Sequence, residues 1–477
     1  MKMFIFGIDG LGHESIKGLG LKKLATRIES GIIGTPKILN VVSRGWPEIY
    51  SGKNAYQTGA FYQVPEYQDG KIYASQRTGL SLVKKTIGSG ELLWNKLEKL
   101  GYSVGIFSVP TVTAPEKLNG FSVGATGAGK FGNSMSDEDV FPSELLKGLH
   151  IKDIDLGFRM GYGAFIPQSI SEFEATANKH LADYFYMLER LLDKNPVDIC
   201  FAATRFINEM AYKFLGLCER NPKNEFEKQL RNTVLDLCES FDEQLDALIN
   251  KIEPQQLFIV SDHGIGKFEY ELNLNELLVD IGLLKRNSER QNIKDFIRPA
   301  YHWFRRKLLN NKIPKFAPRY LLEDSKLFSI GFTNVLYLND HRFGGCTYSE
   351  KEREILIKGY VEELNNQVKL LSLDSLISFR AINNINRMLD EVNITIPDIL
   401  CEMSSGITNT QRQREVFTPK QNDFESMFVK GFHGEYSGCK TEDTIAAYIG
   451  GSGSSINFSN LTNVYDSIIA VAEVTLD

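Results

Sequence analysis

MKMFIFGIDG, residues 1–10, is a largely apolar run that leads into Asp9. Apolar residues that do not alternate with polar ones are typical of a parallel strand covered on both faces. The segment QQLFIVSDHG, residues 255–264, has the same pattern and leads into Asp262 and His263. The two segments therefore predict two buried strands, each with polar groups at its carboxyl end.

Further segments extend this pattern into an α/β fold. Strands are predicted at residues 102–109 and 196–204, and helices at residues 172–194 and 225–252, with another helix starting at Glu91. This alternation predicts a mostly parallel central sheet with helices on both faces.

The same pattern predicts how the chain is divided. Residues 1–270 are expected to form the first part of the core. Residues 271–429 are less regular, and we expect part of them to form an inserted cap region. Residues 430–477 return to the strand and helix pattern of the core. A chain of 477 residues is long enough for one large α/β domain with such an insertion.

Composition excludes several classes of protein. Hydrophobic residues make up 42% and charged residues 24%, as in ordinary soluble globular proteins. The net charge of −6 argues against a binder of nucleic-acid polymers, which would be basic. The six cysteines form no CxxC pair, so neither a zinc knuckle nor a disulfide framework is indicated. Without a signal peptide or a transmembrane run, the sequence predicts a cytoplasmic protein, and it is compatible with an oligomer.

The predicted strand ends supply the ligand types of a divalent-metal site. Asp9, Asp262 and His263 end two strands, and Ser43 follows the apolar ILNVV. Groups at the carboxyl ends of strands in an open α/β sheet collect at one edge. Two carboxylates, an imidazole and a hydroxyl then make a plausible mixed oxygen and nitrogen ligand set. Taken singly, an aspartate after a strand is more often a turn or helix cap.

Several motifs resemble a known family. They are FGIDGLG, GWPEIYSGKNAYQTGAFY, LWNKLEKLGYSVGIFSVPTVTAPEKLNGFSVGA, SDHGIGKFEYELNLNELLVDIGLL, DSKLFSIGFTNVLYLND and GFHGEYSG. Over most of its length the chain resembles the alkaline phosphatase superfamily, specifically the type I phosphodiesterase and nucleotide pyrophosphatase branch. Within that branch it is most like the cytoplasmic predicted phosphohydrolase or phosphomutase members. The resemblance implies an alkaline phosphatase-like fold.

The resemblance also implies a first metal site. In this family one divalent cation is held by the opening aspartate, the nucleophile hydroxyl and the Asp-His pair. Those ligands correspond to Asp9, Ser43, Asp262 and His263 in this sequence. The expected ion is zinc or manganese, with magnesium as the alternative, and we expect a single ion.

The second metal site of the family departs from the pattern. An aspartate, a histidine four residues later and the final histidine would form it, and here Arg205, Glu209 and His433 stand at those positions. Arginine has no lone pair to offer and stays protonated, so it cannot ligate a cation. Three interpretations follow. Arg205 replaces the second metal as a charge for the substrate anion, Glu209 and His433 hold a weak second metal, or the chain performs no hydrolysis.

The hydroxyl that would attack the substrate is Ser43, in SRGWPEIYSG, residues 43–52. The family spacing to the glycine at position 52 falls on Val42, and a one-residue deletion would restore Ser43. Gly45 would let the backbone adjust, and Arg44 would bind a substrate oxygen. The alternative is that Ser43 is a loop or capping residue and that Arg44 is a surface charge.

These residues predict a metal-dependent phosphoester hydrolase, most simply a phosphodiesterase. Ser43 would form a seryl intermediate, Arg205 and His433 would offset charge in the transition state, and Arg44 and Asn208 would bind the small anionic phosphoester substrate. One alternative is a sulfatase-like ester hydrolase, although SRGWP lacks the Cys/Ser-x-Pro-x-Arg context that sulfatases use. The other is an inactive superfamily member that acts as a binding or scaffold protein.

Overall fold

The computed structural model describes most of the chain. Its described residues are 1–38, 45–68, 71–77, 79–125, 137–146, 156, 158, 160, 166–287, 320–382, 395–411, 414–430, 436–451 and 455–475.

Strands and helices alternate through the first half of the chain and return at its end. The strands are β1 (Met3–Ile8), β2 (Ile32–Gly34), β3 (Phe61–Gln68), β4 (Lys71–Arg77), β5 (Val104–Phe107), β6 (Gly120–Val123), β7 (Val140–Phe141), β8 (Ile199–Thr204), β9 (Gln256–Val260), β10 (Gly264–Lys267), β11 (Tyr270–Leu272), β12 (Lys285–Arg286), β13 (Tyr320–Leu321), β14 (Leu327–Phe328), β15 (Val335–Leu338), β16 (Ile377–Ala381), β17 (Ile399–Met403), β18 (Ile407–Asn409), β19 (Phe417–Pro419), β20 (Gly438–Thr441) and β21 (Ala446–Ile449). The helices are α1 (His13–Leu19), α2 (Lys22–Glu29), α3 (Gly45–Ser51), α4 (Ala55–Thr58), α5 (Leu80–Ile87), α6 (Leu93–Lys99), α7 (Ile170–Lys194), α8 (Phe206–Cys218), α9 (Glu225–Ile252), α10 (Leu274–Asp280), α11 (Glu350–Leu370), α12 (Phe424–Lys430) and α13 (Leu461–Val474).

The central sheet has eight strands in the order β2-β21-β9-β1-β8-β5-β6-β7. Its five middle strands, from β9 to β6, pair in parallel. The antiparallel strands β2, β21 and β7 complete its two edges. The prediction of an α/β protein with a mostly parallel central sheet is therefore confirmed.

Strand β1 shows how the sheet is covered. Phe4, Phe6 and Ile8 pack into a hydrophobic cluster with α1, α2, α7, α8 and α9. Met3 and Ile5 point to the opposite face and pack with α3, α6 and α13. Successive side chains of a strand point to opposite faces, so an unbroken apolar run indicates two covered faces. Helices thus lie on both faces of the sheet, as predicted.

Residues 272–407 contain a third hydrophobic cluster, separate from those of the central sheet. Its centre is a second sheet in the order β14-β15-β17-β16, and α11 packs against β16. This cluster falls within the region predicted to contain a cap. The division of the chain at residues 270 and 429 stays a prediction.

Most predicted elements differ from the observed ones only at their ends. Helix α9 has the predicted bounds, and α7 begins two residues earlier than predicted. No helix was predicted after Ser43, but the chain is helical from Gly45 to Ser51, with Pro47 in the first turn, where a missing N–H costs no helical bond. Within the described residues, none of the helices combines the length and apolar character needed to cross a lipid bilayer.

Candidate metal centre

The pairing register of three middle strands brings charged residues into one row. Strand β1 pairs with β8 so that Ile8 lies opposite Thr204, and with β9 so that Gly7 lies opposite Val260. Continuing both registers past the strand ends sets Asp9 between Arg205 and Asp262. These residues follow the carboxyl ends of parallel strands, where α/β sheets place their ligand sites.

Asp9, Asp262 and His263 form a compact buried cluster. One ligand atom from each of the three lies within 4.8 Å of the other two. His263 Nε2 is 3.5 Å from Asp9 Oδ1 and 3.6 Å from Asp262 Oδ2. The three residues are only 4–5% exposed. Two carboxylates buried this closely repel each other, so the arrangement favours a positive charge between them.

The tautomer of His263 is set by its backbone contact. Nδ1 lies 2.9 Å from the carbonyl oxygen of Gly264, which can only accept a hydrogen bond. Nδ1 therefore carries the proton in the neutral ring, and the lone pair of Nε2 faces both carboxylates. A histidine whose second nitrogen donates to a carbonyl is the usual arrangement of a metal ligand.

The cluster fits a divalent cation. Two ligands that lie about 2.1 Å from one ion at a tetrahedral angle are about 3.4 Å apart. The observed separations of 3.5 and 3.6 Å between ligand atoms are close to this value. Two carboxylate oxygens and one imidazole nitrogen suit zinc or manganese. The cluster can thus supply three ligands to one such ion.

The Asp9 carboxylate has three further polar neighbours. Trp46 Nε1 donates to Oδ2 over 3.1 Å, and Arg205 Nε lies 3.7 Å from the same oxygen. Asn208 Nδ2 donates to Oδ1. All three neighbours present N–H groups to this carboxylate, which can accept hydrogen bonds from them.

Arg205 lies beside the cluster with Glu209. Its Nη2 is 3.8 Å from Glu209 Oε1, one helical turn along α8, and its side chain is 26% exposed. The other oxygen of Glu209 accepts the backbone N–H of Met160 over 3.2 Å. In the described part of the chain, the metal-binding cluster contains Asp9, Asp262 and His263 and does not include Glu209.

The turn that presents Asp262 and His263 is fixed by Ser261. Its hydroxyl accepts the backbone N–H of Leu11 over 2.9 Å and donates to the carbonyl of His263 over 2.7 Å. Ser261 thereby joins the ends of β1 and β9, and it is fully buried. No role was predicted for this serine from the sequence, although it stands directly before the Asp-His pair.

Three predicted site residues, Ser43, Arg44 and His433, lie outside the described residues. Their described neighbours in sequence lie close to the cluster. A Cβ added to Gly45 would be 2.3 Å from the carbonyl oxygen of Asp262. Downstream of position 433, the ring of Tyr436 lies 5.7 Å from that of Tyr212, which is 6.3 Å from His263.

Sequence reasoning also missed Lys213, which lies on α8 one helical turn after Glu209. It is 1% exposed, and its Nζ lies 4.1 Å from the ring centre of Tyr436. A lysine inside an apolar helical stretch was the available signal, since lysine is almost never fully buried without a partner.

Comparisons with known proteins were made for the sequence and for the structure. No protein-family model matches the chain, and no curated protein matches its sequence. Solved structures do match. Ectonucleotide pyrophosphatase/phosphodiesterase 5 from mouse matches at 10% identity with a TM-score of 0.42, covering 99% of this chain and 95% of that chain. The human protein of the same name matches at 11% identity with a TM-score of 0.45, covering 99% and 95%.

A bacterial enzyme matches as well. Phosphonoacetate hydrolase from Sinorhizobium meliloti, in complex with phosphonoacetate, matches at 13% identity with a TM-score of 0.48, covering 99% of this chain and 96% of that chain. At these identities and TM-scores the likeness says nothing about what this chain acts on. The mouse and human matches carry the name of the nucleotide pyrophosphatase and phosphodiesterase branch that the sequence motifs resemble.

Proposed function

We propose that this chain is a metal-dependent phosphoester hydrolase that acts on phosphodiesters. One observation supports it above the others: the buried ligand atoms of Asp9, Asp262 and His263 lie within 4.8 Å of one another, and Arg205 stands beside them. A site for a divalent cation next to a partly exposed guanidinium is suited to binding an anionic ester.

Asp9, Asp262 and His263, together with Ser43, would hold one divalent cation, zinc or manganese, with magnesium as the alternative. When bound, such an ion lowers the pKa of a hydroxyl ligand and polarises a phosphoryl oxygen. His263 would offer Nε2 to the ion, because its Nδ1 proton is held by the Gly264 carbonyl.

Ser43 would act as the nucleophile. Its hydroxyl would lose its proton and form a bond to phosphorus, and the bond to the leaving alcohol would break. Water would then hydrolyse the seryl phosphoester and release the product. This role rests on the sequence, and it is supported by the close packing of Gly45, two residues later, against Asp262.

The substrate anion would be bound by Arg205, Asn208, Arg44 and His433. The same residues would stabilise the charge that develops in the transition state. The side chain of Arg205 is 26% exposed, and its guanidinium lies near both Asp9 and Glu209. Asn208 is buried, and its amide oxygen has no hydrogen-bond partner among the described residues. These features support a substrate-binding role for this side of the cluster.

Metal content and turnover test the proposal together. Purified protein should contain about one equivalent of zinc or manganese by mass spectrometry and should hydrolyse bis-p-nitrophenyl phosphate. Asp262→Asn should weaken cation binding by at least about 100-fold, more than the loss of an outer-shell partner. Ser43→Ala should keep the cation and lose turnover. Asp236→Asn, an exposed change of the same kind on α9, is the matched control. It should keep both the cation affinity and the turnover of the wild type.

Other outcomes separate the alternatives. Faster turnover of p-nitrophenyl sulfate than of the phosphate esters would replace the proposal with a sulfatase-like hydrolase. A protein that binds none of these cations and turns over none of these esters would be a binding or scaffold protein. Equal rates for wild type and Ser43→Ala would remove Ser43 from the mechanism.

A further inference from the structure

The indole of Trp46 reaches the candidate metal centre from α3. Trp46 is 1% exposed, and its Nε1 is 3.1 Å from Asp9 Oδ2. An indole N–H can only donate a hydrogen bond, and a carboxylate can only accept one. This contact therefore has one possible direction, from the indole N–H to Asp9 Oδ2.

The two oxygens of the Asp9 carboxylate have different neighbours. Oδ2 receives the indole N–H, whereas Oδ1 accepts a hydrogen bond from the Asn208 amide and lies 3.5 Å from His263 Nε2, with a second lone pair left for the cation. Holding one oxygen of a planar carboxylate fixes the direction of the other. Arg205 also lies near Oδ2, but at 3.7 Å it is beyond ordinary hydrogen-bond distance.

Strand β1 leaves room for this indole. A Cβ added to Gly7 would lie 2.5 Å from Trp46 Cη2 and 2.7 Å from Trp46 Cζ3, closer than real contacts allow. Gly7 stands two residues before Asp9 on the same strand. The ring of Phe201, on β8, lies 6.4 Å from the indole. Gly7 thus leaves space for the indole of Trp46, and Asp9 accepts its hydrogen bond.

Burial alone does not give a tryptophan a partner in this protein. Trp94 is also 1% exposed, and its Nε1 has no hydrogen-bond partner within the described residues. Its ring packs 5.2 Å from that of Tyr50, in the same hydrophobic cluster as Trp46. The two residues therefore differ in one respect that matters here, the contact with Asp9.

We propose that Trp46 is a positioning residue, which holds the Asp9 carboxylate so that Oδ1 can ligate the cation. This inference rests on the proposed function and adds to it a determinant of cation affinity. Residues outside the ligand shell that orient a ligand commonly change metal affinity by about 10–100-fold.

The test compares two variants that remove one indole each. Trp46→Phe should weaken Mn²⁺ binding by about 10–100-fold in calorimetry, whereas Trp94→Phe should bind as the wild type does. The absorption spectrum of the Co²⁺-loaded protein should change in Trp46→Phe only, because it reports the geometry of the ligands. Addition of Mn²⁺ should alter tryptophan fluorescence in the wild type and in Trp94→Phe, and much less in Trp46→Phe.

A third variant separates the hydrogen bond from the shape of the ring. Benzothienylalanine at position 46 keeps the bicyclic shape and replaces the N–H with sulfur, so it should reproduce the loss of affinity in a fully folded protein. Wild-type affinity in this variant and in Trp46→Phe would overturn the positioning role and leave the metal centre intact. A wild-type protein that binds neither Mn²⁺ nor Co²⁺ would overturn the metal centre, and the role of Trp46 with it.

Discussion

Arg205 gives the candidate site a fixed positive charge among carboxylates. It lies 3.7 Å from Asp9 and 3.8 Å from Glu209, and it cannot ligate a cation. Its partly exposed side chain can reach an incoming anion while its other edge stays near both carboxylates. The geometry therefore suits the interpretation in which Arg205 replaces a second metal as the charge for the substrate, which stays a proposal.

Arg205→Ala should separate this role from cation binding. We expect kcat/KM for a phosphodiester to fall by about 100- to 1,000-fold, as for the loss of one donor to a developing oxyanion. Cation affinity should stay the same or rise, because a neighbouring positive charge is lost. Added methylguanidine should restore part of the rate. Arg190→Ala, an exposed arginine of α7, is the control. Loss of the cation in Arg205→Ala would contradict this assignment.

Single residues also show what the sequence could predict. Asp9, Asp262 and His263 were found because each follows an apolar run, and parallel strands end at one edge. Trp46 and Ser261 were missed because their contacts join segments far apart in the chain: Trp46 to Asp9, and Ser261 to Leu11. Periodicity reports which residues are buried, and it gives no information on which partner a buried N–H or hydroxyl finds.

Among the elements, α3 has the closest contact with the site. Gly45 was predicted to let the backbone adjust, whereas the structure shows a packing reason for this glycine. A Cβ at this position would meet the Asp262 carbonyl at 2.3 Å and the Asp262 Cβ at 2.8 Å. The first turn of α3 thus lies against the residue that supplies a candidate ligand, and only glycine allows this approach.

Gly45→Ala should therefore disturb both the fold and the site. Either α3 or the turn after β9 must move, and we expect a loss of about 1–3 kcal/mol in the free energy of unfolding. Cation affinity should also fall, since Asp262 is displaced. Urea unfolding with and without Mn²⁺ measures both effects.

Gly359→Ala is the matched control within a helix. Gly359 lies in α11, and a Cβ there would have no neighbour within 4 Å. This change should stabilise the protein by about 0.5–1 kcal/mol, because alanine is the better helix former. If Gly45→Ala were as stable as the wild type and kept its cation affinity, the close packing of α3 would have no bearing on the site.

The predicted elements were most accurate where periodicity was long. Helix α9 has 28 residues of regular apolar spacing and was predicted with its observed bounds. Strand β8 begins at Ile199, later than predicted, because Asp198 accepts the backbone N–H and the hydroxyl of Ser103 at the entry to the strand. Helix α3 was not predicted, since its seven residues begin with a glycine and contain a proline.

The whole molecule has two hydrophobic clusters on the central sheet and a third within residues 272–407. A region with its own apolar cluster can open without exposing the others. The alternation of strands and helices predicted the central sheet, but the region of the third cluster has short strands from distant parts of the chain. Pairings such as β15 with β17, across more than 50 residues, are not readable from local pattern.

Hydrogen exchange should detect this independence. Peptides from β15 and β17 should exchange through a different opening reaction from peptides of β1 and β8. Saturating Mn²⁺ should slow exchange in β1, β8 and β9. At an Mn²⁺ concentration 100 times the dissociation constant, the free energy of the opening reaction should rise by about 2.7 kcal/mol in these strands. Exchange in β15 and β17 should stay largely unchanged. Uniform protection of all five strands by Mn²⁺ would mean that the molecule opens as one unit.

The row of charges at the end of the sheet has a consequence for electroneutrality. Among the described residues that contact one another here, the net charge is −2. It comes from three carboxylates, those of Asp9, Asp262 and Glu209, and one guanidinium, that of Arg205. One divalent ion would balance this charge, and a second would leave an excess of two positive charges in a buried place, which is costly. Arg205, the side chain that follows β8, would thereby favour a single ion in this site, which stays a proposal.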